Sequence, residues 1–216
     1  MKNLKLIPAL LLALASFVNL SAQDAAPTFQ DFLAQFPKAA LPYAFNQNDL
    51  QSQLETRPAT KAARLGWEYY QFLPELERSA VYSNMPVCPE PVASFETKEY
   101  TAVLYNLARG LSRGAKSYSI SVFTKDGTHI GTHFVAGVNP ETLTVATIDE
   151  SLRATVTEYQ VNWENNYREN GRIGNKVTGL QQAVTTTLEL TVAGNPDQLS
   201  WTSIEMGTSA ADLAKK

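Results

Sequence analysis

The chain has 216 residues, a formal net charge of −3, 44% apolar and 10% aromatic side chains, one cysteine and two histidines. That length suits one large or two small domains, and the apolar share is that of a globular chain with a real core. The mildly acidic balance gives no electrostatic pull toward nucleic acid or anionic lipid, and a single cysteine excludes an intramolecular disulfide.

Lys2 and Lys5 precede an apolar run from Leu6 to Leu20, and Ser21-Ala22 give it a small-residue exit. This is the pattern of a secretory signal peptide, residues 1–22, with cleavage expected between Ala22 and Gln23. The run is shorter than the ~20 residues a membrane-spanning helix needs, and Pro8 and Asn19 interrupt it. The expected location is secreted or periplasmic. No cysteine stands at the cleavage point for a lipid anchor, and no second apolar run is long enough to span a bilayer. Residues 23–216 are expected to form a single α+β domain. Cys88, set between Pro86-Val87 and Pro89, reads as a buried, inert thiol.

Residues 27–80 carry helical patterns. Thr28 with Asp31 forms a capping box, and Phe29, Phe32, Leu33 and Phe36 recur as one apolar stripe that Pro37 closes. Asn48 is placed to cap a second helix running to about Glu55. Thr60 is placed to cap a third, with Ala62, Leu65, Tyr69 and Phe72 on one side and Trp67 and Tyr70 widening it. Pro74 can start a last turn over Glu75 to Arg78. Three prolines between Ser79 and Pro91 predict an extended connector.

Residues 92–206 carry strand patterns. Tyr100–Asn106 opens them, and Ser117, Ser119 and Ser121 then alternate with Tyr118, Ile120 and Val122. Asp126-Gly127 predicts a hairpin to the return strand of Ile130, Thr132, Phe134 and Ala136. Asn139-Pro140 turns the chain into Thr142–Ile148, and Asp149-Glu150-Ser151 leads into Leu152–Trp163. In that strand the apolar residues shift from even to odd positions near Thr157-Glu158, which predicts a β-bulge or a change of face. Val184, Leu188, Leu190 and Val192 mark another strand, and Leu199–Met206 a weaker one. Without helix-length crossovers the strands must pair antiparallel. The expected fold is α+β, with N-terminal helices packed on one face of a six- to seven-stranded antiparallel meander whose other, Ser/Thr-rich face meets solvent.

Chemistry is harder to find. His129 and His133 on one strand would stand roughly 13 Å apart at ~3.3 Å per residue, too far to share an ion, so no metal site is expected. No Gly-x-Ser-x-Gly nucleophile motif occurs. Glu99, Asp126, Asp149, Glu150, Glu158 and Glu164 are available for a carboxylate pair assembled in space, but each reads first as a turn or surface charge. Gly171-Arg172-Ile173-Gly174 superficially resembles a Gly-x-x-Gly phosphate clamp yet lacks its strand–helix setting. No catalytic residue and no cofactor is assigned.

The stretch Glu164–Gly179 interrupts two strong strands. Asn170-Gly171 favours a type I′ hairpin over an irregular loop, with Tyr167 and Ile173 on paired strands. Either form gathers Trp163, Tyr167, Arg168 and Arg172 at one end of the sheet, the expected ligand-binding residues, suited to sugar or peptide recognition. Trp163 also continues the apolar phase of its strand, which favours burial. The leading expectation is a non-catalytic binding or structural module of a bacterial-type cell envelope, whose partner is an extracytoplasmic ligand or envelope protein. An extracytoplasmic, carbohydrate-active hydrolase and a small-ligand carrier built on a closed barrel are the alternatives. A membrane barrel is excluded by too few apolar segments.

Overall fold

The computed structural model describes residues 26–55, 63–76, 88–108, 116–172 and 174–194. Short turns between alternating segments make consecutive strands neighbours, and the result is an antiparallel meander. Seven strands follow one another in chain order: β2 (Cys88–Glu96), β3 (Tyr100–Ala108), β4 (Lys116–Thr124), β5 (His129–Val138), β6 (Thr142–Ile148), β7 (Arg153–Trp163) and β8 (Val177–Glu189). An eighth, the two-residue β1 (Tyr43–Ala44), pairs with the end of β6. β5 and β6 share only Gly137↔Thr144 and Val138↔Leu143 before they diverge, and β1 occupies the gap at Thr147 and Ile148.

The Asp126-Gly127 hairpin forms as expected. Gly127 takes a positive φ of 90°, and a side chain there would collide with the Phe29 ring. Asn139-Pro140 likewise reverses the chain through paired Asn139–Thr142 backbone bonds. β2 starts at Cys88, inside the stretch expected as a connector. It tolerates Pro89 and Pro91 because it is an edge strand. The expected bulge is not in the long strand itself but in its neighbour: Glu158 pairs with Val184 and Tyr159 with Gln182, which leaves Ala183 of β8 as the extra residue. β6 and β7 keep perfect register and change face together. Leu143 and Val161 are buried on one side of the bend, Ala146, Ile148 and Ala154 on the other.

Helix α1 (Phe29–Leu33) starts at the Thr28/Asp31 capping box and tightens into i→i−3 bonds up to Phe36. Helix α2 (Gln47–Glu55) is capped by Asn46, whose Oδ1 accepts from the backbone of Asn48 and Asp49. The expected cap, Asn48, is instead inside the first turn. Of the expected third helix, residues 63–66 are not helical and Trp67–Phe72 forms a 3₁₀ segment preceded by an extended Gly66. Trp67 is 82% exposed and widens no apolar face. A helical turn follows at 74–76. Thr60, Ala62, Arg78, the connector up to Val87 and the expected strand Leu199–Met206 lie outside the described residues.

The helices do not share a face. α1 sets Phe32 and Phe36, with Leu65, Leu73 and Leu76, against Val103, Tyr105, Leu107 and Phe123. α2 sets Leu50 and Leu54 against the opposite side, where Phe95, Leu104, Ile120, Val138, Leu143 and Ile148 form the larger core. Residues alternate between faces along β3 and β4, so β3 is apolar on both sides, while β4 sets Tyr118, Ile120 and Val122 on one face and Ser119, Ser121 and Phe123, all buried, on the other. The one-face arrangement is therefore corrected: α1 and α2 lie on opposite faces, and β3 and β4 are covered on both.

Candidate functional site

Two places concentrate polar and aromatic chemistry. The first is the β7–β8 arm with the connection 164–176. β7 delivers Trp163, whose indole N–H donates to the Pro140 carbonyl at 2.6 Å. The connection is not a hairpin: residues Tyr167–Asn170 form one helical turn, α3, capped by Asn166 and ended by Gly171 at φ 65°. Buried Asn175 closes the loop, accepting from Asn165 N and donating to Asn165 O and Gly171 O, each at 2.9 Å.

This turn carries the Tyr167 ring to 5.0 Å from that of Trp163. Arg168 pairs with Glu141 across the β5–β6 turn, Nε to Oε1 at 2.9 Å. The half-buried Arg172 has one guanidinium nitrogen, Nη1, buried without a hydrogen-bond partner. Three of the four expected ligand-binding residues thus lie around the β5–β6 turn and α3, with Arg172 after Gly171. The indole is half-buried and spends its polar handle on the chain itself. Ile173 lies outside the described residues, and the Gly-x-x-Gly segment has no strand–helix setting.

Beyond the loop, β8 is exposed over its middle and partly buried towards its ends. Gln181 to Thr187 are all solvent-facing, on both sides of the strand, and Val184 is 51% exposed. This corrects the expectation that Val184 and Val192 belong to a half-buried strand face. Only Leu188, Leu190, Leu180 and Val177 of this region touch the larger core.

The second place went unread in the sequence. Ser119 and Ser121 are buried, not solvent-facing, because the 65–76 segment covers that side of β4. Glu75 enters there from the turn at 74–76. Tyr105 Oη donates to its Oε1, and Thr132 Oγ1 donates to its Oε2 at 3.2 Å. Ser121 Oγ bridges Tyr105 Oη at 3.0 Å and Thr132 Oγ1 at 2.7 Å. With the Thr132 proton given to Glu75, His129 Nε2 must donate to Thr132 Oγ1 across their 2.9 Å contact.

Burial pushes the Glu75 carboxyl up, against the hydrogen bonds from Tyr105 and Thr132 that pull it down. Burial, reinforced by the Glu75 charge, holds Tyr105 well above the ordinary phenol range. Burial lowers His129, with His133 adding to it. The arrangement is a closed set of donors and acceptors that ties the 74–76 turn to the sheet. The signals for it were the serine alternation of β4 and a lone acid between Leu73 and Leu76.

The unpaired Ile130 shifts the β4–β5 register, so His129 stands opposite Phe123 and His133 opposite Ile120. The two rings therefore occupy opposite faces, where a regular strand would have put them on one. Among the described residues no group of three His, Cys, Asp or Glu could hold a metal ion. Of the candidate acids, Asp126 caps its own turn through Thr124 and Thr128, and Asp149 does the same through Ser151 and Arg153. Glu164 sits at the far end of β7 from Asp149. Among the described residues β2 and β8 do not pair, so the strand order is open, and no helix is long and apolar enough to cross a membrane. No protein-family model, curated protein or solved structure matches the chain.

Proposed function

We propose that this chain is a non-catalytic binding or structural module that works outside the cytoplasm, as a secreted or periplasmic component of a bacterial-type envelope. It presents the β7–β8 arm and the 164–176 loop. One observation carries the reading: among the described residues, β8 forms an open edge of the sheet and its residues 181–187 are solvent-facing on both sides. Core strands bury at least one face, and an edge left bare is a ready template for another chain. The Lys2/Lys5 start and the Leu6–Leu20 run support export.

The test has two readouts. Cells expressing the full chain are fractionated, and the N-terminus of the recovered protein is read by mass spectrometry. The expected result is recovery from the periplasm or medium with Gln23 first. Amide exchange of the recovered protein is then compared with and without isolated envelope fragments. Slowed exchange confined to 164–189 supports the reading. Retention in the cytoplasm, or exchange that the fragments leave unchanged, overturns it.

A further inference from the structure

We propose that β8 is a self-pairing edge: two copies of this chain join antiparallel, β8 to β8, across a two-fold axis. This rests on the reading of β8 as the working surface and names the partner as a second copy. The strand runs thirteen residues, Val177–Glu189, with no proline and a single charge. That charge, Glu189, is already paired with Arg153 of β7 at 3.4 Å. Natural edges are blunted by prolines, lysines or coverage. β8 carries bulges at Thr178 and Ala183 and, at its start, a bond from Val177 N to Glu55 of α2, all of them before Val184. From Val184 to Leu188 nothing among the described residues covers it.

The opposite edge is built the other way. β2 holds Pro89 and Pro91, shifts register between Pro91 and Ala93, and is bridged at Ser94 by Lys38. Pro37 O and Ala39 N take up the Ser94 backbone as well. A head-to-tail β8–β2 contact would need that blocked edge, so the contact that remains is β8 with itself, which closes at two copies.

Self-pairing also suits the side chains. A two-fold centred on Thr186 sets Val184 opposite Leu188 and Thr185 opposite Thr187, with no like charges facing. Cross-strand threonine contacts of this kind already join β8 to β7, where Thr157 and Thr185 hydroxyls meet at 3.2 Å. The half-exposed Val184 gains an apolar partner, and the edge amides gain acceptors. A strongly charged partner would find no counter-charge on this strand.

The experiment is sedimentation of the purified protein over a wide concentration range, its N-terminus checked by mass spectrometry. The expected result is a species of twice the chain mass. The double substitution Val184→Lys with Thr186→Lys places ammonium groups against each other across the axis and weakens that species by about tenfold or more. Both positions are exposed, and an unchanged thermal midpoint shows that the fold survives. Independently, Thr186→Cys in a Cys88→Ser background forms a covalent dimer on mild oxidation, whereas Thr147→Cys on β6 does not. A monomer at every concentration, or a mass that grows without limit, overturns the proposal. So does a dimer that survives the lysine pair. Export and envelope binding are read separately, so the two readings fail separately.

Discussion

The carboxyl of Glu75 reaches the sheet where Tyr105 and Thr132 donate to it and Ser121 links the two. Because burial raises its pKa, the folded protein holds the proton more tightly than the unfolded chain does. Stability from this group is full below the ordinary glutamate value, about 4.3, and is lost as pH rises through the higher native value. His129 works in the opposite sense. Its lowered native value means that stability is full above the ordinary histidine value, about 6.5, and is lost as pH falls from there through the lower native value. Glu75→Gln keeps the shape and most hydrogen bonds but removes the titration. Denaturant unfolding across pH should show the variant gaining on the parent as pH rises above about 4.3. Asp31, Asp126 and Asp149 titrate alike in both proteins and cancel from the difference. Parallel curves would show that Glu75 titrates as it does in the unfolded chain. The residue pattern held signals of this, the β4 serines and the acid beside Leu76, but both point first to a solvent-facing surface. An acid between two leucines reads as solvent-facing until the element that covers β4 is known. Ser119, buried on the same strand, has a hydroxyl without a hydrogen-bond partner, which the alternation rule also placed in water.

Among the elements, the 164–176 loop shows how one dipeptide supports two structures. Asn-Gly favours a type I′ turn, but the positive φ of Gly171 serves here to end a helical turn. Asn175 decides between them by holding Asn165 and Gly171 together from inside the loop. Its side chain makes three hydrogen bonds, each worth about 0.5–1.5 kcal/mol net. Asn175→Ala should therefore open the loop by about 2–3 kcal/mol. The measurement is amide exchange and proteolytic nicking, which should rise at 164–176 while the exchange of β3 and β4 stays slow. Uniform acceleration across the sheet would show that Asn175 supports the whole fold rather than its loop. The turns at Asp126-Gly127 and Asn139-Pro140 were legible because their partners lie within a few residues. The start of β8 was not, because Thr178 to Ala183 bury too little on either face to leave an alternating pattern.

At the scale of the whole molecule, β3 and β4 belong to two cores at once. Ala102, Leu104, Ile120 and Val122 face α2, while Val103, Tyr105, Leu107 and Phe123 face α1. The phenylalanine stripe and its capping box were readable as a docked helix, and Phe32 and Phe36 are indeed buried. Which face each helix takes was not readable from the helices, since either stripe fits an apolar surface. The clue lay in β3, whose unbroken apolar run Ala102–Tyr105 marks a strand covered on both sides. Shared strands carry a thermodynamic consequence. Phe32 stacks on Phe72 at 5.0 Å and meets Phe36 edge-on at 5.2 Å, so Phe32→Ala removes the centre of one core at about 3–5 kcal/mol. Leu54→Ala removes a buried anchor of the other core at about 2–5 kcal/mol. If β3 and β4 join the two, each substitution lowers a single transition seen by circular dichroism and by amide exchange on both faces. Two separable transitions, or a Phe32→Ala protein in which β6 and β7 still open at the parental denaturant concentration, would mean that the cores fold apart.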